Sequence, residues 1–167
     1  MTNTLFLRDV TDSDLPIFFE QQLDKDANVM AAFTSKDPTD RAAFMAHWAR
    51  ILADPGITIR TILVEGQVAG HVLVHGWFGD PEITYWIGKA FWGKGVASQA
   101  LARFLNIVTA RPLYARVAKD NLASLRVLEK CGFTIRGEGK GFSNARGMEV
   151  EEFILNLPEQ ETLMSIT

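Results

Sequence analysis

The stretch Tyr85-Trp86-Ile87-Gly88-Lys89-Ala90-Phe91-Trp92-Gly93-Lys94-Gly95-Val96-Ala97 decides how the rest of the chain is read. It opens on strand-forming residues, passes through glycines, and ends where a helical stripe begins. That stripe is Val96, Ala97, Ala100, Leu101, Phe104, Leu105 and Val108, spaced for one face of a buried helix. A strand, a glycine loop and a helix in this order present unobstructed backbone N–H groups at a helix N-terminus, where roughly half a positive charge resides. Pyrophosphate is the natural guest. The plain alternative is a glycine turn that only joins a strand to a helix.

Upstream of this stretch the pattern is of strands. Ile57 to Val64 and Val68 to Phe78 flank the turn Glu65-Gly66-Gln67 and read as a hairpin; after Gly79-Asp80-Pro81, Glu82 to Ile87 is a third strand. Nearer the start, Leu5 to Val10 alternates as a short strand. Thr11, with Asp14 three residues on, caps a helix running to about Leu23. Asp24 to Pro38 reads as an irregular or broken-helix connection. Thr39 is then expected to cap a second helix carrying Phe44, Trp48, Ile51 and Leu52 on one face. Downstream, Arg111-Pro112 ends the helix from Val96, and Leu113 to Val117 is a strand. Asp120-Asn121 precedes a helix with Leu122, Leu125, Leu128 and Cys131, stopped by Gly132. Phe133 to Arg136 opens another strand, Gly137, Gly139 and Gly141 make a loose stretch, and Glu149 to Leu157 is the last strand. The tail from Pro158 is expected to fray. The order β-α-α-β-β-β-α-β-α-β-β predicts a mixed α/β (α+β) domain, with antiparallel hairpins and one parallel crossover through the helix from Val96.

At 167 residues the chain fits one domain. Its net charge of −3 marks no global nucleic-acid or membrane surface, so an anionic ligand must be held by a local site. The single cysteine, Cys131, forms no internal disulfide and suits a reducing compartment. Met1 to Val10 lacks a signal-peptide pattern and no apolar run nears the ~18 residues of a membrane span, so the expected location is the cytoplasm. His47, His71 and His75 show no metal-ligand spacing, and Cys131 reads as core.

Three kinds of phosphate loop compete for the glycine stretch. A nucleoside-triphosphate loop would need serine or threonine after Lys94, where Gly95 stands; a dinucleotide fingerprint would need glycine or alanine where Ser98 stands. The third fits: Gly93-Lys94-Gly95-Val96-Ala97 resembles the pyrophosphate loop of the GNAT superfamily of N-acetyltransferases. Tyr85-Trp86-Ile87-Gly88 resembles the splayed strand before it. Asn121 to Phe133, with Ser124, Arg126, Glu129, Lys130 and Gly132, resembles the superfamily's next helix and its Gly-Phe exit, and Leu7-Arg8-Asp9 through Asp14 its N-terminal strand and first helix. The likeness covers Leu5 to Leu157 and is nearest to the branch holding the ribosomal-protein N-terminal alanine acetyltransferases.

The resemblance implies a central, mostly antiparallel sheet of about seven strands with about four helices. It implies transfer of an acetyl group from acetyl-coenzyme A to a primary amine, of a small molecule or a protein N-terminus. It implies cofactor contacts from Ile87, Trp92, Gly93, Lys94, Gly95, Val96, Ala97, Asn121, Ser124 and Arg126, and it is compatible with a homodimer. Trp92 stands where many members carry arginine or glutamine. Leu128 stands where many carry a tyrosine that protonates the departing thiolate, which leaves Ser124, one turn earlier, as the available hydroxyl. Glu82 is the candidate general base. Bland roles compete at each point: Asn121 as a helix cap, Ser124 as a solvated helix end, Arg126 as exposed charge, Glu82 as a strand-start carboxylate. The missing tyrosine keeps open a noncatalytic acyl-coenzyme A sensor on the same fold.

Overall fold

Asp14 fastens the beginning of the chain. In this computed structural model, which describes residues 4–159, its carboxylate is almost wholly buried. It accepts hydrogen bonds from Arg8 Nη1 at 2.7 Å and Nη2 at 2.9 Å, from Thr61 Oγ1 at 2.7 Å and from Thr11 N–H at 3.0 Å. Arg8 belongs to strand β1 (Leu5–Arg8) and Thr61 to β2 (Thr58–Val64), so one side chain pins the first helical turn, Asp12–Asp14, to two neighbouring strands. Helix α1 (Leu15–Gln21) follows directly.

The segment expected to be irregular contains a helix of its own. Asp24 caps α2 (Lys25–Ala31) by accepting from Ala27 N–H, and Asn28 inside it donates to the carbonyls of Gln22 and Asp24 at 2.7 and 2.8 Å. The next helix, α3 (Arg41–Ala53), is capped by Asp40 rather than Thr39. The Asp40 carboxylate takes the Ala43 N–H at 2.9 Å, while the Thr39 hydroxyl is committed to Asp37 at 2.6 Å. The remaining elements are β3 (Gln67–His75), β4 (Glu82–Ile87), α4 (Val96–Ile107), β5 (Leu113–Ala118), α5 (Leu122–Lys130), β6 (Thr134–Ser143) and β7 (Met148–Leu157). The expected order therefore holds, with five helices among the described residues instead of four. The expected tail lies, from residue 160 on, outside the described residues.

The strands form one sheet in the order β1-β2-β3-β4-β5-β7-β6, antiparallel except between β4 and β5. β6 is continuous through Gly137, Gly139 and Gly141, where a loose stretch was expected, because each of these glycines pairs with a residue of β7, beyond a register shift at Arg136. Gly139 also leaves room for a neighbour: a Cβ there would stand 3.2 Å from Glu152 Oε1. Gly70 does the same for a backbone. A Cβ on it would lie 1.9 Å from the Trp86 carbonyl oxygen, so only glycine lets β3 and β4 meet at that register.

One face of the sheet carries the main core, in which Val72, Ile83, Ala115 and Leu155 meet Leu101 and Phe104 of α4. The other face holds Phe18, Trp48 and Ile51 of α1 and α3. His71 of β3 packs there, its ring centroid 4.8 Å from both Phe18 and Trp48. Burial lowers its pKa to about 3, so it is a neutral core residue at working pH.

Candidate active site

β4 and β5 pair at one register position only, Glu82 with Tyr114. Beyond it they part, and the rest of β4 has no strand partner on its β5 side. The gap forms a cavity of about 560 Å³ with Ile83 to Ile87 on one wall and Ala115 to Ala118 on the other. Ala27, Met30 and Ala31 of α2 line it as well.

The glycine loop follows β4 directly. Gly93 and Gly95 line the cavity with φ of +75° and +73°, conformations that favour glycine, and Gly95 is the N-cap of α4. The twelve-residue helix thus begins at the cavity, with Val96 and Ala97 among its lining residues and their N–H groups free of intrahelical partners. Trp92 braces the turn: its indole N–H donates to the Ile87 carbonyl at 2.8 Å. Lys89 ties the loop to α2 through Asp26 at 2.8 Å and Asp24 at 3.6 Å. Lys94 and Arg126 are exposed and do not line the cavity.

The start of α5 supplies the polar groups. Asn121 caps it, its Oδ1 accepting from Ser124 N–H at 3.2 Å, and also lines the cavity. Ser124 Oγ lies 2.7 Å from the hydroxyl of Tyr85, which reaches across from β4. Leu128, in the position that the resemblance would fill with tyrosine, is a buried core residue. Tyr85 was not singled out from the sequence as a functional group. Its partner lies 39 positions away, and nothing local announces the pairing.

At the closed end of the wedge a row of charged and polar groups crosses four strands. Arg116 of β5 donates from Nε to Glu82 Oε1 at 2.8 Å and from Nη1 to Glu152 Oε1 at 3.0 Å. His75 Nε2 stands 3.2 Å from Glu82 Oε2, and Trp77 N–H donates to His75 Nδ1 at 3.3 Å, which leaves the imidazole proton on the nitrogen facing Glu82. The Trp77 ring stacks on His75 with centroids 4.0 Å apart. Burial alone would raise the Glu82 pKa, but the hydrogen bond from His75 and the charge and hydrogen bond of Arg116 outweigh it and hold the carboxyl below its ordinary value. Glu82 is therefore ionised with both oxygens engaged, a strong anion and a weak base. Its side chain is not among those lining the cavity, whereas Arg116 is.

The Cys131 thiol points at the Ser98 carbonyl at 3.8 Å, and burial pushes its pKa up, which is the opposite of nucleophile activation. Among the described residues no three His, Cys, Asp or Glu side chains converge as metal ligands, and no helix is long and apolar enough to cross a membrane. The site thus combines backbone donors for an anion, a largely apolar slot leading away from them, and a hydroxyl pair inside the slot.

The chain is similar to known proteins. An uncharacterized N-acetyltransferase of Bacillus licheniformis, p20, is 26% identical over 87 residues, covering 50% of this chain and only about half (49%) of that relative. Mycobacterium smegmatis RimJ, solved in complex with CoA-disulfide, superposes with a TM-score of 0.78 at 20% identity, over 95% of this chain and 84% of that one. The spermidine N-acetyltransferase of Vibrio cholerae, solved in complex with CoA and spermine, gives 0.72 at 19% identity, over 92% and 95%. At such identities the likeness to solved structures is one of fold. Residues 4–134, by contrast, match the acetyltransferase (GNAT) domain itself. With that match running from β1 to the start of β6, through the wedge, the glycine loop and α5, the chain belongs to the GNAT acetyltransferase family.

Proposed function

We propose that the chain is an acetyl-coenzyme A-dependent N-acetyltransferase in which an amine attacks the thioester carbonyl directly. The observation that carries this reading is the junction of the glycine loop with the wedge: the unpaired N–H groups at the start of α4 lie beside a slot whose β4 wall has no strand partner. The pyrophosphate would be held by N–H groups of Gly93 to Ala97, with Trp92 bracing the turn beneath them. The pantetheine arm, which carries amides, would pair with Ile87 and its neighbours as an added strand, with Asn121 facing it from α5. Lys94 and Arg126, outside the cavity, would contribute charge alone. The RimJ and spermidine acetyltransferase structures holding CoA-disulfide and CoA on this fold support the assignment.

The chemistry then needs a neutral amine, a stabilised oxyanion and a leaving thiolate that is solvated or protonated. Ser124 would serve the thiolate. Glu82, ionised between His75 and Arg116 and behind the cavity lining, would favour the approach of an ammonium through its charge, and the acceptor would lose its proton to water. The acceptor is a primary amine, of a small molecule or of a protein N-terminus, the latter as in the ribosomal-protein branch.

Coenzyme A at about 100 times its Kd should raise the melting temperature by about 5–10 °C, since binding only the folded state adds about 2.7 kcal/mol. An equal or larger shift with ATP and magnesium would overturn the assignment. Thiol release with a panel of amines separates catalysis from the competing reading, a noncatalytic sensor, which Leu128 in the tyrosine position favours. Tight coenzyme A binding without thiol release for any amine would establish the sensor. For an active enzyme, Ser124→Ala should lower turnover by about 10–100-fold, the worth of one hydrogen bond to a charged group, with a smaller change in coenzyme A affinity. Full turnover in that variant would make the serine a structural residue.

A further inference from the structure

The Tyr85–Ser124 contact joins the two sides of the wedge by a single hydrogen bond between hydroxyls, 2.7 Å long. Among the described residues neither hydroxyl has another partner. Two hydroxyls carry two protons, and one bond between them engages only one. The other must point elsewhere, and both residues line the cavity. A phenol is more acidic than an aliphatic alcohol, so the favoured arrangement has Tyr85 donating and Ser124 accepting. That leaves the Ser124 proton free to face the slot. Burial, partly offset by the bond to Ser124, holds the Tyr85 pKa above its ordinary value, so the tyrosine stays a neutral donor through the working range.

From this geometry we infer that Tyr85 is a positioning residue for thiolate departure: its hydroxyl orients Ser124 so that the serine O–H donates into the slot, where the sulfur leaves. The inference rests on the acetyl-transfer reading above and assigns a role that Leu128 cannot fill. As the carbon–sulfur bond breaks, the electron pair goes to sulfur and the Ser124 hydrogen bond stabilises the thiolate. The proton shed by the acceptor nitrogen on becoming an amide passes through solvent to sulfur, so none is gained or lost overall. A hydroxyl oriented in advance by a half-buried donor need not reorganise as charge develops. Donation from Tyr85 also polarises the serine O–H and strengthens its own bond.

The test is Tyr85→Phe, which keeps the ring and removes only the hydroxyl. The readout is the pKa of the thiol of bound coenzyme A, followed by thiolate absorbance or by its rate of alkylation against pH. This measurement needs neither an acceptor nor turnover. Relative to the wild type, the bound thiol should titrate about one pH unit higher in Tyr85→Phe and in Ser124→Ala, because each removes stabilisation of the thiolate. The double variant should titrate where Ser124→Ala does, since Tyr85 acts through the serine. With a productive amine, Tyr85→Phe should lower kcat about 10-fold with little change in the KM for acetyl-coenzyme A. A bound thiol with the same pKa in wild type and Tyr85→Phe would overturn the inference and leave acetyl transfer standing. Separate shifts that add in the double variant would also overturn it, because Tyr85 would then act without the serine. Failure of the wild type to bind coenzyme A would overturn both readings.

Discussion

Gly95→Val should weaken coenzyme A binding by about 10²-fold or more while leaving the protein folded. Gly95 has φ +73° and ψ 13°, where a β-branched residue costs about 1–2 kcal/mol. Space is not the obstacle: a Cβ there would meet only Gln99 Nε2 within 4 Å, at 3.5 Å. The fold can therefore absorb the change by turning the peptide, and the loss falls on the N–H groups that Gly95 aims at the cavity. Hydrogen bonds to a charged group are worth about 1.5–3 kcal/mol each, so misdirecting two removes about 10²–10⁴ in affinity. Calorimetric titration with coenzyme A beside a melting curve checks both halves. An affinity within twofold of the wild type would show that the loop is only a turn.

Asp14→Ala should have the largest effect on stability, about 3 kcal/mol, seen as a fall of about 6–12 °C in Tm at neutral pH. The substitution leaves Arg8 and the buried Thr61 hydroxyl without their shared acceptor. The pH dependence separates charge from packing. Burial acts to raise the Asp14 pKa, but the hydrogen bonds from Arg8, Thr11 and Thr61 and the charge of Arg8 carry it from 3.8 down to about 2. A pKa depressed on folding gives stability that is present above the unfolded value and lost as pH falls through the folded one. That contribution is about 2 kcal/mol above roughly pH 4 and disappears toward pH 2. The difference between wild type and Asp14→Ala in urea denaturation should therefore be constant from pH 7 to about pH 4 and narrow below. A difference that stays constant down to pH 2 would show that the carboxylate charge is not its source.

What the sequence disclosed tracks how local the cause is. β4 is read with its true ends, Glu82 and Ile87, because a Gly-Asp-Pro turn and a glycine loop bound it. Helices α4 and α5 are read because their apolar spacing is strict and their starts, Gly95 and Asn121, are caps. α2 escaped because its seven residues show no apolar stripe, and besides its local cap it is held by distant side chains. Ser143 Oγ donates to Ala32 C=O, and Arg146 Nε to Val29 C=O. The glycines of β6 suggest looseness on their own, and become a strand only once β7 stands beside them. The same holds for the site. The loop could be read as a motif, but the hydroxyl pair and the row from His75 to Glu152 depend on strand register and on contacts across the wedge. Glu82 was visible as a carboxylate in a promising place, whereas the arginine that fixes its charge was not.

The single pairing between β4 and β5 makes the sheet two panels, four strands on one side and three on the other, meeting at one hinge point. Two devices keep the panels at a set angle. Beneath them lies a common core to which Ile83 and Ala115 both belong, and across the joint Arg116 acts as a strut between Glu82 and Glu152. The notch is thus a permanent part of the folded shape. A guest that enters it neither peels strands apart nor waits for them to open, and the free energy of leaving strand edges uncovered is spent once, during folding. Binding can then be fast and rigid, with the visitor acting as the missing slat of the sheet.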